Sequence, residues 1–393
     1  MSLMNEYIHR KMSAKDYEKE LRALIGRYNK LRNTYLLIYV AAIGKPIPSI
    51  ALEQPDYFVI QDMLKDIADY KKLDFYIETP GGSGETAEEI VRFTRKHFDS
   101  VTFVVSGEAK SAGTIMVLSG DDILMTETGS LGPIDAQVKI GRSTVSAYDY
   151  MEWVVNKKDE AEKNKYLNPF DATIVAQITP GELGGVANSL QFAKDLVVEW
   201  LTAYKFKTWN TTETRKLPVT DEMKKARAMQ IADDLTNRTR WRSHGRSIKI
   251  DDLIDEIKLK VTRVDSDKEL ADVVYRIQTV CRMLFDSTNI FKIIATSERR
   301  IIRSAATAGG PIPIPQIQKA DHVRVQQKCT QCGMVHNLYG KLSKDPKIDV
   351  ELRKQGLKPF PTDGKLVCKC GFSMDLSGLK NQIEMDTGVK IVV

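Results

Sequence analysis

Two hydrophobic rhythms divide the chain. Residues 14–31 place Tyr17, Leu21, Leu24, Ile25, Tyr28 and Leu31 at helical spacing among many charges, the pattern of an amphipathic helix. This predicts an N-terminal arm (residues 1–33) for docking or oligomerisation. From Thr34 the rhythm changes to short apolar runs at 35–41, 74–78, 101–105 and 122–126, with helical runs between them at 56–70, 85–98 and 111–119. Strands that are apolar on both faces and alternate with helices predict an α/β fold, a parallel sheet with helical crossovers. Ligand sites in such sheets lie beyond the C-terminal strand ends.

Further helical patterns cover 146–166, 187–207, 221–240 and 267–285, with Thr220 as a cap ahead of Asp221 and Glu222. A break falls at 166–185, rich in Pro and Gly, and an apolar hairpin is expected near 291–305 around Ile293, Ile294, Ile301 and Ile302. Gly309-Gly310-Pro311, followed by Pro313 and Pro315, reads as a stiff exposed linker. The chain therefore divides into the arm, a main domain at 34–306, a linker at 307–327 and a small domain at 328–393.

Composition sharpens this only in part. With 393 residues, 42% hydrophobic and 28% charged, the chain is of the soluble globular type with one to three domains. A net charge of +6 excludes a global nucleic-acid coat and leaves room for a local basic patch, for which Arg299, Arg300, Arg303, Lys319, Arg324 and Lys328 are candidates. The apolar run from Tyr35 to Ile43 is too short to span a membrane, and the N-terminus shows no secretory h-region, so a cytoplasmic location is expected.

Chemistry concentrates in two strand-to-turn segments, residues 76–83 (Tyr-Ile-Glu-Thr-Pro-Gly-Gly-Ser) and 107–114 (Gly-Glu-Ala-Lys-Ser-Ala-Gly-Thr). A glycine pair after a strand lets backbone N–H groups face a cleft with no side chain in the way. A Ser before a helix is by itself a common N-cap. Bracketed by Gly107 and Gly113, one βα unit after Pro80-Gly81-Gly82, Ser111 acquires the setting of an exposed nucleophile beside an oxyanion hole.

Ile77 to Ser83, followed by Lys110 to Thr114, resembles the Clp-protease/signal-peptide-peptidase/crotonase superfamily, and most closely the serine dehydrogenase proteinase family of Clp-fold serine proteinases. Residues 129–137, Gly-Ser-Leu-Gly-Pro-Ile-Asp-Ala-Gln, are similar to a signature of that family. The resemblance implies a ClpP/crotonase-like spiral of βαβ units. It implies Ser111 as nucleophile, with the Gly81–Gly82 loop and the Ala112 amide as oxyanion donors, and a homo-oligomer. It does not imply redox chemistry, and no Gly-x-Gly-x-x-Gly turn follows a strand.

The base is open at the level of sequence. Of five His, His9 lies in the arm, His97 ends a crossover helix, and His322 and His336 belong to the C-terminal module, which leaves His244. Asp135 stands where Clp proteolytic subunits carry the triad His, so the two roles are exchanged: His244 takes the proton of Ser111 and Asp135 orients the imidazole. The rival is a Ser-Lys dyad using Lys158 or Lys157, whose charged neighbours favour a solvated helix face. Lys110 adjoins the nucleophile and is expected to point away from it.

Four of the five Cys lie near the C-terminus as Cys329-Thr-Gln-Cys332 and Cys368-Lys-Cys370, with Gly333 and Gly371 following each pair. Two such pairs resemble a zinc ribbon and suit a structural, tetrahedral Zn2+ with no open position, His336 being an alternative ligand. Cys281, in an apolar helix, reads as core. The reading is thus a serine peptidase acting on polypeptide through an acyl-enzyme on Ser111, with no cofactor for catalysis. An adaptor or nucleic acid is a candidate partner of the zinc module. The alternatives are a catalytically inactive Clp-fold scaffold acting through that module and crotonase-like thioester chemistry, against which the Ser111 motif argues.

Overall fold

The burial of one strand shows how the main sheet is built. β1 (Tyr35–Ala41) has every residue buried. Its Tyr35, Leu37 and Tyr39 enter one core and its Leu36, Ile38 and Val40 another, because successive side chains point to opposite faces and both faces are covered. The computed structural model describes residues 2–134, 136–140, 143–212, 214–243, 245–305, 321–345, 347–387 and 389–392. Its contacts divide the chain into two units, residues 1–307 and 308–393.

In the first unit β2 (Lys72–Glu78), β3 (Ser100–Val105), β5 (Asp122–Met125) and β9 (Thr262–Arg263) continue β1 in parallel. β10 (Ile290–Ala295) and β11 (Arg300–Ser304) form the predicted hairpin and pair antiparallel on the other side, giving a seven-stranded sheet of order β11-β10-β1-β2-β3-β5-β9. One face is covered by α3 (Gln54–Leu64), α4 (Gly84–His97), α5 (Ala112–Leu118), α8 (Pro180–Trp200) and α9 (Asp221–Thr236). The other is covered by α2 (Ala14–Arg32) and α11 (Lys268–Ser287), with Tyr7 of α1 (Leu3–His9) sealing them.

Residues 1–33 are therefore not a free arm. Tyr17, Leu21, Leu24, Ile25 and Tyr28 are buried within their own chain, and Tyr28 donates to buried Asp74 Oδ2 at 2.7 Å. The physical reason is that a sheet apolar on both faces needs a second cover, which α2 and α11 supply together. A second difference lies at 166–185, where a break was predicted. α6 (Ala147–Asn164) and α7 (Pro169–Val175) precede α8, which runs through Gly181, Gly184 and Gly185. Thr179 caps α8 by accepting from the Glu182 amide at 3.1 Å, and Pro180 opens it, so the turn-like residues mark a helix start. α10 (Arg238–Trp241) ends this helical region, and a hairpin of β7 (Gln137–Ile140) and β8 (Ser143–Ser146) was not predicted.

A short second layer crosses the strand ends. β4 (Glu108–Ala109) pairs with β6 (Ser130–Leu131), and single bridges join Leu52 to Gly82, Thr79 to Ala109 and Leu131 to Ile248. Beneath it lies a buried ion pair: Lys292 Nζ is 2.8 Å from Asp56 Oδ2 and 2.9 Å from the Ala51 carbonyl, and Tyr39 donates its hydroxyl to the same carboxylate.

In the second unit β12 (His322–Lys328), β13 (Val335–Lys341) and β14 (Lys358–Pro359) form one sheet, and β15 (Lys365–Val367) and β16 (Ser373–Asp375) a hairpin, with α12 (Lys347–Lys354) and α13 (Ser377–Thr387) beside them. β12 begins inside the expected 307–327 linker, whose Gly-Pro stretch lies outside the described residues. Leu338, Phe360, Leu376 and Ile383 form the small core with Cys329 and Cys368.

Candidate active site and cysteine cluster

Ser111 links β4 to α5 with φ 49° and ψ −117°. A non-glycine residue held there stores about 1–3 kcal/mol of strain and needs surroundings that over-determine it. It stands at the N-cap of α5, yet its hydroxyl makes no capping bond. The turn is closed by main-chain bonds, Gly113 N–H to the Lys110 carbonyl (2.8 Å) and Ile115 N–H to the Ser111 carbonyl (3.1 Å). It is anchored on the preceding loop by Thr79 N–H to the Glu108 carbonyl (2.8 Å) and Lys110 N–H to the Thr79 carbonyl (3.0 Å). Thr114 Oγ1 donates to the Ala109 carbonyl at 2.7 Å and accepts from Gly132 N–H at 2.9 Å, tying α5 to the signature segment.

The glycine loop lies directly against this turn. Gly81 has φ 100° and Gly82 φ 149°. The loop is held by Leu52, whose amide donates to the Gly81 carbonyl (2.7 Å) and whose carbonyl accepts from Ser83 N–H (2.9 Å). A side chain at Gly82 would come 2.3 Å from the Leu52 carbonyl oxygen. The three amides named from the sequence differ in state. Gly81 N–H already donates to Thr79 Oγ1 at 3.2 Å. Gly82 N–H and Ala112 N–H have no protein acceptor among the described residues. Gly81 thus contributes close approach, and Gly82 and Ala112 contribute unused donors.

Ser111, Gly82 and Ala112 line a cleft of about 590 Å³ whose apolar wall is Ile115, Ile134, Phe192 and Ala193. Phe192 and Ala193 come from α8, far along the chain, and no motif points to their place here; nor does any mark Leu52, an ordinary apolar residue in a loop. Asp135 and His244 lie outside the described residues. Their neighbours can be placed: Ile134 and Ala136 line the cleft, and Ile248 bridges to Leu131.

The lysine alternatives are surface ion pairs. Lys157 Nζ lies 2.7 Å from Asp171 and 2.8 Å from Glu160, and these partners, Asp171 first, hold its ammonium above the usual lysine range. Lys158 is exposed, 3.8 Å from Glu162. A lysine base requires the opposite, a depressed pKa. Neither side chain lines the cleft. His97 is likewise bound elsewhere, its Nδ1 paired with the Phe93 carbonyl at 2.8 Å.

In the second unit the sulfur atoms of Cys329, Cys332, Cys368 and Cys370 all lie within 4.8 Å of one another. Cys329 Sγ is 3.7 Å from Cys370 Sγ, and Cys332 Sγ is 3.5 Å from Cys368 Sγ. Thiolates about 2.3 Å from a tetrahedral ion stand about 3.8 Å apart, so these four could hold a metal ion. Gly333 and Gly371 adopt φ 77° and 86° where each knuckle turns back. His336 is not among the clustered donors; it is buried in β13, and its Nε2 has no hydrogen-bond partner. Cys281 is buried in the core, as read from the sequence.

Residues 40–177 match the family of ClpP-like, SDH-type serine proteinases. The match spans the β1–β5 crossovers, the glycine loop, Ser111 and the Gly132–Gln137 segment. Two curated relatives from Methanocaldococcus jannaschii are similar over short stretches. The uncharacterized protein MJ1495 is 32% identical over 66 residues, 17% of this chain and 23% of the relative. The uncharacterized protein MJ0137 is 37% identical over 68 residues, 17% of this chain and 24% of the relative. The chain thus spans about a quarter of the length of the curated relatives it matches. Among solved structures, a mutant of the 1510-N membrane-bound stomatin-specific protease gives a TM-score of 0.23 at 18% identity, over 34% of this chain and 70% of that one. A second mutant of the same protease, in complex with a substrate peptide, gives 0.33 at 12% identity, over 56% and 74%. No helix among the described residues is long and apolar enough to cross a membrane.

Proposed function

We propose that this protein is a Clp-fold serine peptidase that cleaves peptide bonds through an acyl-enzyme on Ser111. The observation that carries the reading is the pairing of a strained, non-capping Ser111 with two unused amides, Gly82 and Ala112, on one cleft. Ser111 Oγ attacks the scissile carbonyl carbon and its proton passes to His244. The negative oxygen of the tetrahedral adduct takes hydrogen bonds from the Gly82 and Ala112 amides, each such donor being worth about 3–4 kcal/mol in comparable sites. Collapse expels the amine, which leaves with the proton from His244, and water then hydrolyses the ester by the reverse path. Asp135 orients the imidazole, a division of roles defined by geometry and not by order along the chain.

The cysteine cluster is the site of a structural Zn2+, since a closed set of thiolates leaves no position for substrate. We also assign a homo-oligomeric assembly, readable by light scattering, on the family resemblance. Labelling by a serine-reactive fluorophosphonate tests the catalytic reading. Wild type should label and Ser111→Ala should not; wild type that stays unlabelled, or equal labelling of the variant, sinks it in favour of an inactive scaffold. His244→Ala tests the base, and full residual activity there would remove His244 from the mechanism.

A further inference from the structure

We infer that Lys110 is the positioning residue of the nucleophile turn, a buried cation that fastens Ser111 to two distant segments of the chain. Lys110 directly precedes Ser111, yet its side chain is buried and turned to the second layer. Its Nζ donates to the Leu131 carbonyl at 3.1 Å, the Arg246 carbonyl at 3.1 Å and Ser247 Oγ at 2.9 Å. An ammonium has three protons, so all of its donors are used, and none is left for Ser111. The Lys110 stem lies against Gly132, where an added Cβ would sit 2.8 Å from Lys110 Cδ. That contact gives the glycine of the signature segment a physical reason.

Three segments meet at this one nitrogen: the turn of Ser111, the end of β6 leading into Gly132–Ile134, and residues 246–247. In sequence the last two lie within a few residues of Asp135 and His244, which the proposed mechanism pairs with Ser111. A cation buried among neutral oxygens costs desolvation, and burial holds the Lys110 ammonium below the usual lysine range. A leucine or methionine would fill the same space without that cost. What the ammonium adds is direction, three hydrogen bonds that fix where the turn stands relative to the two segments, as a preorganised site requires. The inference rests on the serine-peptidase reading for its catalytic consequence and on geometry alone for the clamp.

The variants are Lys110→Met, which keeps the stem, and Ser247→Ala, which removes one acceptor at little risk to folding. The readout is the fluorophosphonate labelling rate per folded molecule, measured well below the melting midpoint, with hydrogen–deuterium exchange over residues 108–112, 130–134 and 245–248. Loss of position should slow labelling of folded Lys110→Met by about a hundredfold, slow Ser247→Ala by a smaller factor, and raise exchange in all three segments. A merely structural lysine would lower the melting temperature but leave the per-folded rate at the wild-type value, and that result in both variants overturns the inference. If wild type itself does not label, the peptidase reading fails, and exchange then decides the clamp: faster exchange in the variants supports it and unchanged exchange overturns it.

Discussion

Gly81 and Ser111 are packed so closely that a Cβ added to Gly81 would lie 2.7 Å from Ser111 Cβ and 2.8 Å from the Lys110 carbonyl oxygen. The glycine loop and the Ser111 turn are thus one object, and Gly81 can take no side chain at their contact. Gly81→Ala should reduce Ser111 labelling by about a hundredfold and destabilise the fold by about 1–3 kcal/mol. Gly44→Ala is the control, because Gly44 has a similar φ of 98° with nothing within 4 Å of its Cβ position. It should show the backbone cost alone and label at the wild-type rate. Equal labelling of the two variants would mean that the close contact is unimportant.

The buried Asp56–Lys292 pair holds the loop on which Gly82 rests, since Lys292 also binds the Ala51 carbonyl and Asp56 caps the helix that follows. Both side chains are fully buried. Lys292→Met should leave Asp56 with Arg303 as its one remaining ion-pair partner among the described residues and cost about 3–5 kcal/mol. The measurement is the urea midpoint at unchanged m-value; a shift under 1 kcal/mol would show that Arg303, 3.2 Å from Asp56 Oδ1, carries the pairing by itself.

Glu78 ends β2 just before the glycine loop and is buried. Burial raises its carboxyl above the usual range, against the opposing pull of the Arg282 guanidinium at 2.6 Å. A carboxyl with a higher pKa folded than unfolded makes the native state bind protons more tightly. Its contribution to stability therefore falls as pH rises from about 4.5 through the folded pKa, and the penalty is complete above that. Thermal melts from pH 4 to 8 should show Glu78→Gln gaining on wild type as pH rises. A pH-independent difference between the two would count against this assignment.

Four cysteines bound as thiolates to one tetrahedral ion would leave it no open coordination position, which would separate the metal from catalysis. Metal analysis should find zinc bound to the C-terminal module and lost in Cys332→Ser. Because the ligands bind as thiolates, chelation should become easier as pH falls. Stripping the zinc should leave Ser111 labelling unchanged; a parallel loss of labelling would assign the metal a part in the reaction site.

What the sequence determined by itself was whatever local chemistry enforces. Apolar runs such as Tyr35–Ala41 announced doubly covered strands, Gly81-Gly82 and Ser111 announced two tight turns after successive strands, and the paired cysteines announced a cluster, because period, backbone freedom and ligand spacing are properties of neighbours in the chain. Tertiary structure alone decided which cover each strand receives, burying one side of α1 and α2 in a core on one face of the sheet. It decided that Phe192 lines the cleft and Leu52 holds the glycine loop, that Gly81 permits close approach while Gly82 keeps its amide free, and that Lys110 binds residues more than a hundred positions away. Those outcomes depend on contacts between remote segments, whose energies are set by packing and burial, and no pattern of adjacent residues encodes them.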